Sequence, residues 1–193
     1  MKLVVIAGLI ALLVTLLGTP LLIKFLMRHG YSQAIRVSTE GVPYPEHEGK
    51  KGTPSMGGLA ILIALVVGYS LSHLYAWQSP SASGLLAMYL IVGLGLVGMA
   101  DDYLKIFKQR STGVRARTKL IGQGFIAVTF AYGTTLFPDE YGRTPASNAV
   151  SLVRDTPIVL PTVLAIIWLW LLVTVTTNAV NLTDGLDGLA AGS

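Results

Sequence analysis

No cysteine occurs in the sequence, so disulfides, thiolate nucleophiles and Cys-ligated metals are excluded, and any metal must sit on oxygen or histidine ligands. Charge is nearly as scarce. Asp, Glu, Lys and Arg make up 12% of the 193 residues, about half of the ~25% typical of soluble domains. A water-soluble globule is therefore a poor expectation. The three histidines, His29, His47 and His73, have no second ligand at metal-site spacing, so they do not indicate a metal centre. No internal repeat or low-complexity tract is present.

What remains is apolar. Hydrophobic residues make up 52% of the chain, and they gather into five runs near the ~20 residues a membrane helix needs: 3–23, 55–74, 84–100, 120–137 and 158–177. None of these runs contains Asp, Glu, Lys or Arg. The expectation is an all-α polytopic membrane protein with five transmembrane helices, forming one integral membrane domain over 1–193. The first run is long for a secretory signal and lacks an A-x-A-like cleavage site, so it reads as a retained helix.

Positive charge sets the orientation. Of fourteen Lys and Arg, five lie in the 24–54 loop and six in 101–119, eleven on one side of the bilayer. By the positive-inside rule that side is cytoplasmic and the N-terminus lies outside. Five crossings then bring the stretch from Asn178 onward to the cytoplasm as well. The net charge of +4 thus reflects loops at a lipid surface and gives no reason to expect a nucleic-acid partner.

Polar residues concentrate in those cytoplasmic stretches. "GMADDYLKIFK" places Asp101 and Asp102 where the third run ends, the wrong end of the helix macrodipole for a carboxylate. Lys105, at i+4 and i+3, could compensate them as an ordinary surface pair. The functional alternative is that two adjacent carboxylates beside basic residues serve a Mg²⁺–phosphate site, since Mg²⁺ prefers oxygen ligands shared with substrate phosphates. "EGKKGTPSMGG" combines Lys50 and Lys51 with small residues whose backbone N–H groups could hold phosphate; it also reads as a basic juxtamembrane anchor with a Thr-Pro helix start. "RSTGVRARTKL" adds Arg110, Arg115, Arg117 and Lys119, which would also suit anionic headgroups.

The closing stretch, "NAVNLTDGLDGLAAGS", comes directly after the fifth run. Asn178, Asn181, Asp184 and Asp187 recur every third residue, a step that drifts about 60° backwards on an α-helix, so the four cannot share one narrow face. Gly185 and Gly188 allow close approach of backbone to a ligand. The pattern points to a recognition loop opening a short helix, against the plainer reading of an Asp-Gly turn.

Together, "KKGTPSMGG", "ADDYLK" and "NAVNLTDGLDGLA" resemble the phospho-N-acetylmuramoyl-pentapeptide-transferase family, within the wider polyprenyl-phosphate sugar-1-phosphate transferases. "GTPSMGG" is the piece that separates the muramoyl branch from N-acetylhexosamine relatives. The resemblance implies a ten-helix fold of which this chain is about the N-terminal half, without the family's later catalytic aspartate and its histidine-rich loop, so that the chain alone would be inactive. The Ser55 position, often Thr in the family, keeps its hydroxyl, while "STEGVPYPEHEG" departs from the usual spacing.

The implied reaction joins UDP-N-acetylmuramoyl-pentapeptide to undecaprenyl phosphate at the cytoplasmic face of the bacterial plasma membrane, giving lipid I and UMP with Mg²⁺ as cofactor. It leaves room for a homodimer. Asp101 is the implied base or orienting carboxylate, and Asp102 its partner near the metal. Lys50, Lys51, Lys105 and Lys119 are the phosphate or nucleotide contacts. Asn178, Asn181, Asp184, Gly185, Leu186 and Asp187 belong to the nucleotide and metal region, with Asp101, Asp102 and Asp184 as metal carboxylates. A covalent aspartyl-phosphate route stays open. Competing readings are a related N-acetylhexosamine-1-phosphate transferase, half of a transporter or channel, and a fragment that only binds partners.

Overall fold

The computed structural model describes residues 2–31, 56–108, 113–139, 141–151 and 155–183. In chain order the elements are α1 (Lys2–Arg28), α2 (Gly58–Ala76), α3 (Ala82–Phe107), α4 (Ala116–Gly133), β1 (Ala149–Ser151), β2 (Asp155–Val159) and α5 (Thr162–Thr183). They form two compact units, residues 1–80 with 91–119 and residues 81–90 with 120–193, so α3 and α4 each lend residues to both.

Helices α1, α2, α3 and α5 are long and apolar enough to cross a membrane, as uncharged runs without internal hydrogen-bond competitors should be. The chain is a membrane-embedded, mostly helical protein. Helix α4 does not reach that threshold among the described residues. The expected fourth span, 120–137, took Leu136 and Phe137 as membrane residues, but the helix stops at Gly133 and draws its first turn from Arg117 and Lys119 instead. Four crossing-length helices are therefore established, and the fifth crossing is not.

Two further departures matter for the site. The third helix does not end at Ala100 but continues to Phe107, so Asp101 and Asp102 sit inside it rather than at its C-terminus. At 26 residues it is about 39 Å long, about 9 Å more than a ~30 Å hydrocarbon core. The fold is also not purely helical. Residues 149–151 and 155–159, expected to be a connection leading into a span from 158, pair as a short antiparallel ribbon with Ala149 opposite Val159 and Ser151 opposite Asp155. β-Branched Val150, Thr156, Ile158 and Val159 favour extended backbone, and Thr156 Oγ1 donates to the Val150 carbonyl at 2.6 Å.

Packing is inverted relative to a soluble protein. The large side chains Leu17, Ile121, Phe125 and Leu182 are exposed, whereas the small residues Ala64, Ser72, Ala127 and Ala131 are among the most buried. Lipid solvates the large apolar groups, so helices gain by close backbone approach. In the first unit α1 packs on α2, and a Cβ at Gly68 would stand 2.7 Å from the Ala7 carbonyl oxygen and 3.0 Å from the Ala11 Cβ. In the second unit, a Cβ at Gly133 would stand 2.8 Å from Leu86 Cδ2, and one at Gly124 3.3 Å from Trp170 Nε1. Ser81 caps α3 by accepting the Gly84 N–H at 3.1 Å, which satisfies one of the free donors of the first turn.

Candidate functional site

In the first unit the site is built on Asp101. Although followed directly by another carboxylate, it is only 7% exposed, and each carboxylate oxygen has a partner. Oδ2 lies 2.7 Å from Lys105 Nζ, one turn on, and 3.9 Å from Lys119 Nζ in the first turns of α4. Oδ1 accepts the backbone N–H of Val114 at 2.8 Å. The chain can fold this closely over the carboxylate because residue 113 is glycine; a Cβ there would collide with the Asp101 side chain.

The electrostatics are balanced. Lys119 stands near the N-terminus of α4, where the macrodipole disfavours a cation, and Asp101 offsets it. Lys105 also reaches Asp102 Oδ1 at 3.4 Å. Asp102 is the open member of the pair, its side chain 35% exposed against 10% for Asp101. This is not the exposed surface pair that Lys105 alone would make with either carboxylate, because burial and a backbone donor are added to the ion pair.

As a Mg²⁺ site the donors fit in kind, being hard carboxylate oxygens. They are few in number: no group of three His, Cys, Asp or Glu that could hold a metal occurs among the described residues. Asp102 has the more accessible oxygen for a metal, since both oxygens of Asp101 already take donors. Asp184, the third expected metal carboxylate, lies outside the described residues. So do Lys50, Lys51, Gly185, Leu186 and Asp187.

In the second unit Asn178 and Asn181 are found, but not in a loop. Helix α5 runs on to Thr183, so the expected recognition loop does not begin at Asn178. The reason is local. Thr177 Oγ1 bonds the Val173 carbonyl at 2.6 Å, Asn178 Nδ2 the Thr174 carbonyl at 2.8 Å and Thr183 Oγ1 the Ala179 carbonyl at 2.9 Å, so the polar side chains are satisfied within the helix instead of breaking it. Thr174, Thr177, Asn178 and Asn181 then fall at i, i+3, i+4 and i+7, one face of α5.

Sequence reading overlooked Gln123 on α4. It is 2% exposed, and its Oε1 accepts from Asn178 Nδ2 at 3.1 Å. The signal was available: a lone carboxamide in an otherwise apolar stretch needs a polar partner. Gly113 and Val114 carried no comparable signal, because only the fold brings them to Asp101. Two buried hydroxyls, Tyr69 and Thr174, have no hydrogen-bond partner among the described residues.

Near the end of a long apolar helix the chain thus gathers a buried carboxylate, two lysines and a backbone N–H. The family profile described as Glycosyl transferase family 4 matches residues 84–193, more than half of the chain, and the chain belongs to that family. Within it, the pattern described as Phospho-N-acetylmuramoyl-pentapeptide-transferase signature 1 matches residues 50–62. The chain is 48% identical over 196 residues to the phospho-N-acetylmuramoyl-pentapeptide-transferase of Beutenbergia cavernae, covering 98% of this chain and 53% of that protein. It is 46% identical over 194 residues to that of Cutibacterium acnes, covering 100% of this chain and 53% of that protein. The same 46% holds over 193 residues for that of Streptomyces avermitilis, again with 53% of the relative covered. The chain therefore spans about half the length of the curated relatives it matches.

Proposed function

We propose that this chain is part of a transferase that moves phospho-N-acetylmuramoyl-pentapeptide from its UDP-linked donor to undecaprenyl phosphate, at the cytoplasmic face of a bacterial plasma membrane. The observation that carries the reading is Asp101, buried near the end of a membrane-length helix and bound by Lys105, Lys119 and the Val114 N–H. The match at residues 50–62 favours the muramoyl substrate over an N-acetylhexosamine.

In this reading an oxygen of the lipid phosphate attacks the sugar-linked phosphorus of the donor, the pyrophosphate P–O bond breaks and UMP leaves. Lys105 and Lys119 offset the phosphate charge. Asp101, whose oxygens already hold donors, acts in orienting the acceptor phosphate rather than as a free base. Asp102 and Asp184 would hold Mg²⁺, which when bound neutralises charge on the bridging and departing oxygens. Lys50, Lys51, Asn181 and the 184–187 stretch would contact the nucleotide half. Holding the two substrates in line supplies much of the rate.

The test is radiolabelled lipid-linked product in purified protein carried to the full length of its relatives. Product from UDP-N-acetylmuramoyl-pentapeptide, with release of UMP, is the expected result, and the chain ending at Ser193 is expected to be silent. Turnover only with a UDP-N-acetylhexosamine would move the substrate to the related branch, and solute flux without turnover would favour a transporter. For orientation, cysteine at Ser111 is expected to resist a membrane-impermeant thiol reagent in intact cells while cysteine at Ser147 reacts; the reverse pattern overturns the cytoplasmic face.

A further inference from the structure

The Gln123–Asn178 pair has a chemical direction set by its partners. The Thr174 carbonyl can only accept, so the Asn178 atom 2.8 Å away must be its amide nitrogen. That nitrogen has two hydrogens. The second points to Gln123 at 3.1 Å, which must therefore present its oxygen. Both Asn178 donors are thus consumed inside the protein, which leaves Oδ1 as its acceptor among the described residues.

The Thr174 carbonyl of its own helix takes one hydrogen of the Asn178 amide, and Gln123 on α4 takes the second. We propose that Gln123 is a positioning residue that, together with the Thr174 carbonyl, locks Asn178 as a hydrogen-bond acceptor for the substrate complex. The group it selects is a donor: an N–H or O–H of the nucleotide-linked substrate, or a water held by Mg²⁺. Burial makes the lock strict, because rotating Asn178 would set its Oδ1 against the Gln123 oxygen and the Thr174 carbonyl, acceptor against acceptor, in an apolar setting where unmade hydrogen bonds are costly. The substrate half of this inference rests on the transferase reading; the lock itself does not.

The lock is tested in the 193-residue chain. Only three asparagines occur, Asn148, Asn178 and Asn181, so ¹⁵N-asparagine labelling in lipid nanodiscs resolves their side-chain amides. The Asn178 amide is expected to exchange slowly with solvent in the parent and rapidly in Gln123→Met. Rapid exchange in the parent would overturn the lock.

The functional half is tested at full length. Gln123→Met and Asn178→Ala are each expected to lower kcat/KM roughly tenfold, and the double variant to be no worse than Asn178→Ala, since residues acting as a unit are not additive. Gln123→Glu keeps an acceptor at this position and is expected to restore most of the loss even if Gln123→Met folds poorly. A raised KM for the nucleotide substrate identifies the donor as nucleotide, and a raised Mg²⁺ requirement identifies it as metal-held water. Multiplied losses in the double variant, or unchanged kinetics in Gln123→Met, would overturn the positioning role. Absence of product from the parent would overturn the transferase reading and the substrate half with it, while the exchange data still decide the lock.

Discussion

Each of the two units buries a polar side chain that bonds outside its own helical turn, Asp101 in the first and Gln123 in the second, and they satisfy it in different ways. In the first, Asp101 is a full charge held by two ammonium groups and a backbone N–H. In the second, the neutral Gln123 amide accepts one hydrogen bond from the Asn178 amide. A charge needs countercharge, which makes its surroundings basic and suits them to phosphate. An amide pair needs only geometry, which suits it to reading a hydrogen-bond pattern. Losing a partner should therefore cost far more around Asp101 than around Asn178.

The largest effect is expected at Asp101. Asp101→Ala leaves Lys105 and Lys119 half-compensated, and removing one partner of a buried ion pair typically costs about 3–5 kcal/mol, to be read as a drop in thermal stability in detergent. Asp101→Asn retains an acceptor for the Val114 N–H and should cost less stability while still cutting full-length turnover strongly. Asp102→Asn, at a more exposed position, should cut turnover with little loss of stability. Near-normal turnover in both Asn variants would reduce the cluster to a structural ion pair.

A smaller effect is expected at Gly113→Ala. Its Cβ would collide with the Asp101 carboxylate, and overpacking of this kind costs about 1–3 kcal/mol. The change should also reduce turnover, because the Val114 N–H moves away. Stability and turnover both unchanged would show that the 113–114 backbone is not part of the site.

The smallest is expected at Asp139. Asp139 is exposed, and its carboxylate accepts the N–H groups of Arg143 and Tyr141, each at 2.9 Å, and pairs with the Arg143 guanidinium. The Arg143 backbone N–H is the first cause that lowers its pKa from the ordinary 3.8, with Tyr141 N–H and the guanidinium adding to it. A lowered folded pKa means that the ordering is present above the unfolded value and is lost as pH falls through the folded one. Amide shifts of Tyr141 and Arg143 should thus hold steady down to about pH 4, the ordinary Asp range, and move below it. Movement starting well above that range would show that the carboxylate does not hold the turn.

Much of this was readable from residues alone. Uncharged apolar runs become helices in lipid because backbone groups there have no other partner, and four of the five expected spans have the required length and apolarity. Asp101, Asp102 and Lys105 were recognisable because carboxylates beside a membrane helix are costly without cause. Helix ends were misjudged where hydropathy was taken for helicity: α3 keeps its hydrogen bonds through the charged "DDYLK", and α5 through "NAVNLT". The ribbon of 149–151 and 155–159 was hidden because Ile158 and Val159 read equally well as the start of a membrane run.

The sequence by itself determined the solvent of this protein, the helices that solvent imposes, and the residue types able to meet phosphate at its surface. These come from short-range terms, hydropathy and backbone hydrogen bonding, that act within one run of chain. Only the tertiary structure decided that Asp101 is buried and bonded at both oxygens while Asp102 is open, and that Gln123 takes a hydrogen of the Asn178 amide. Those outcomes depend on atoms 13 and 55 residues apart, and a hydrogen bond a few tenths of an ångström wide in tolerance is set by packing between helices, which no local pattern of residues encodes.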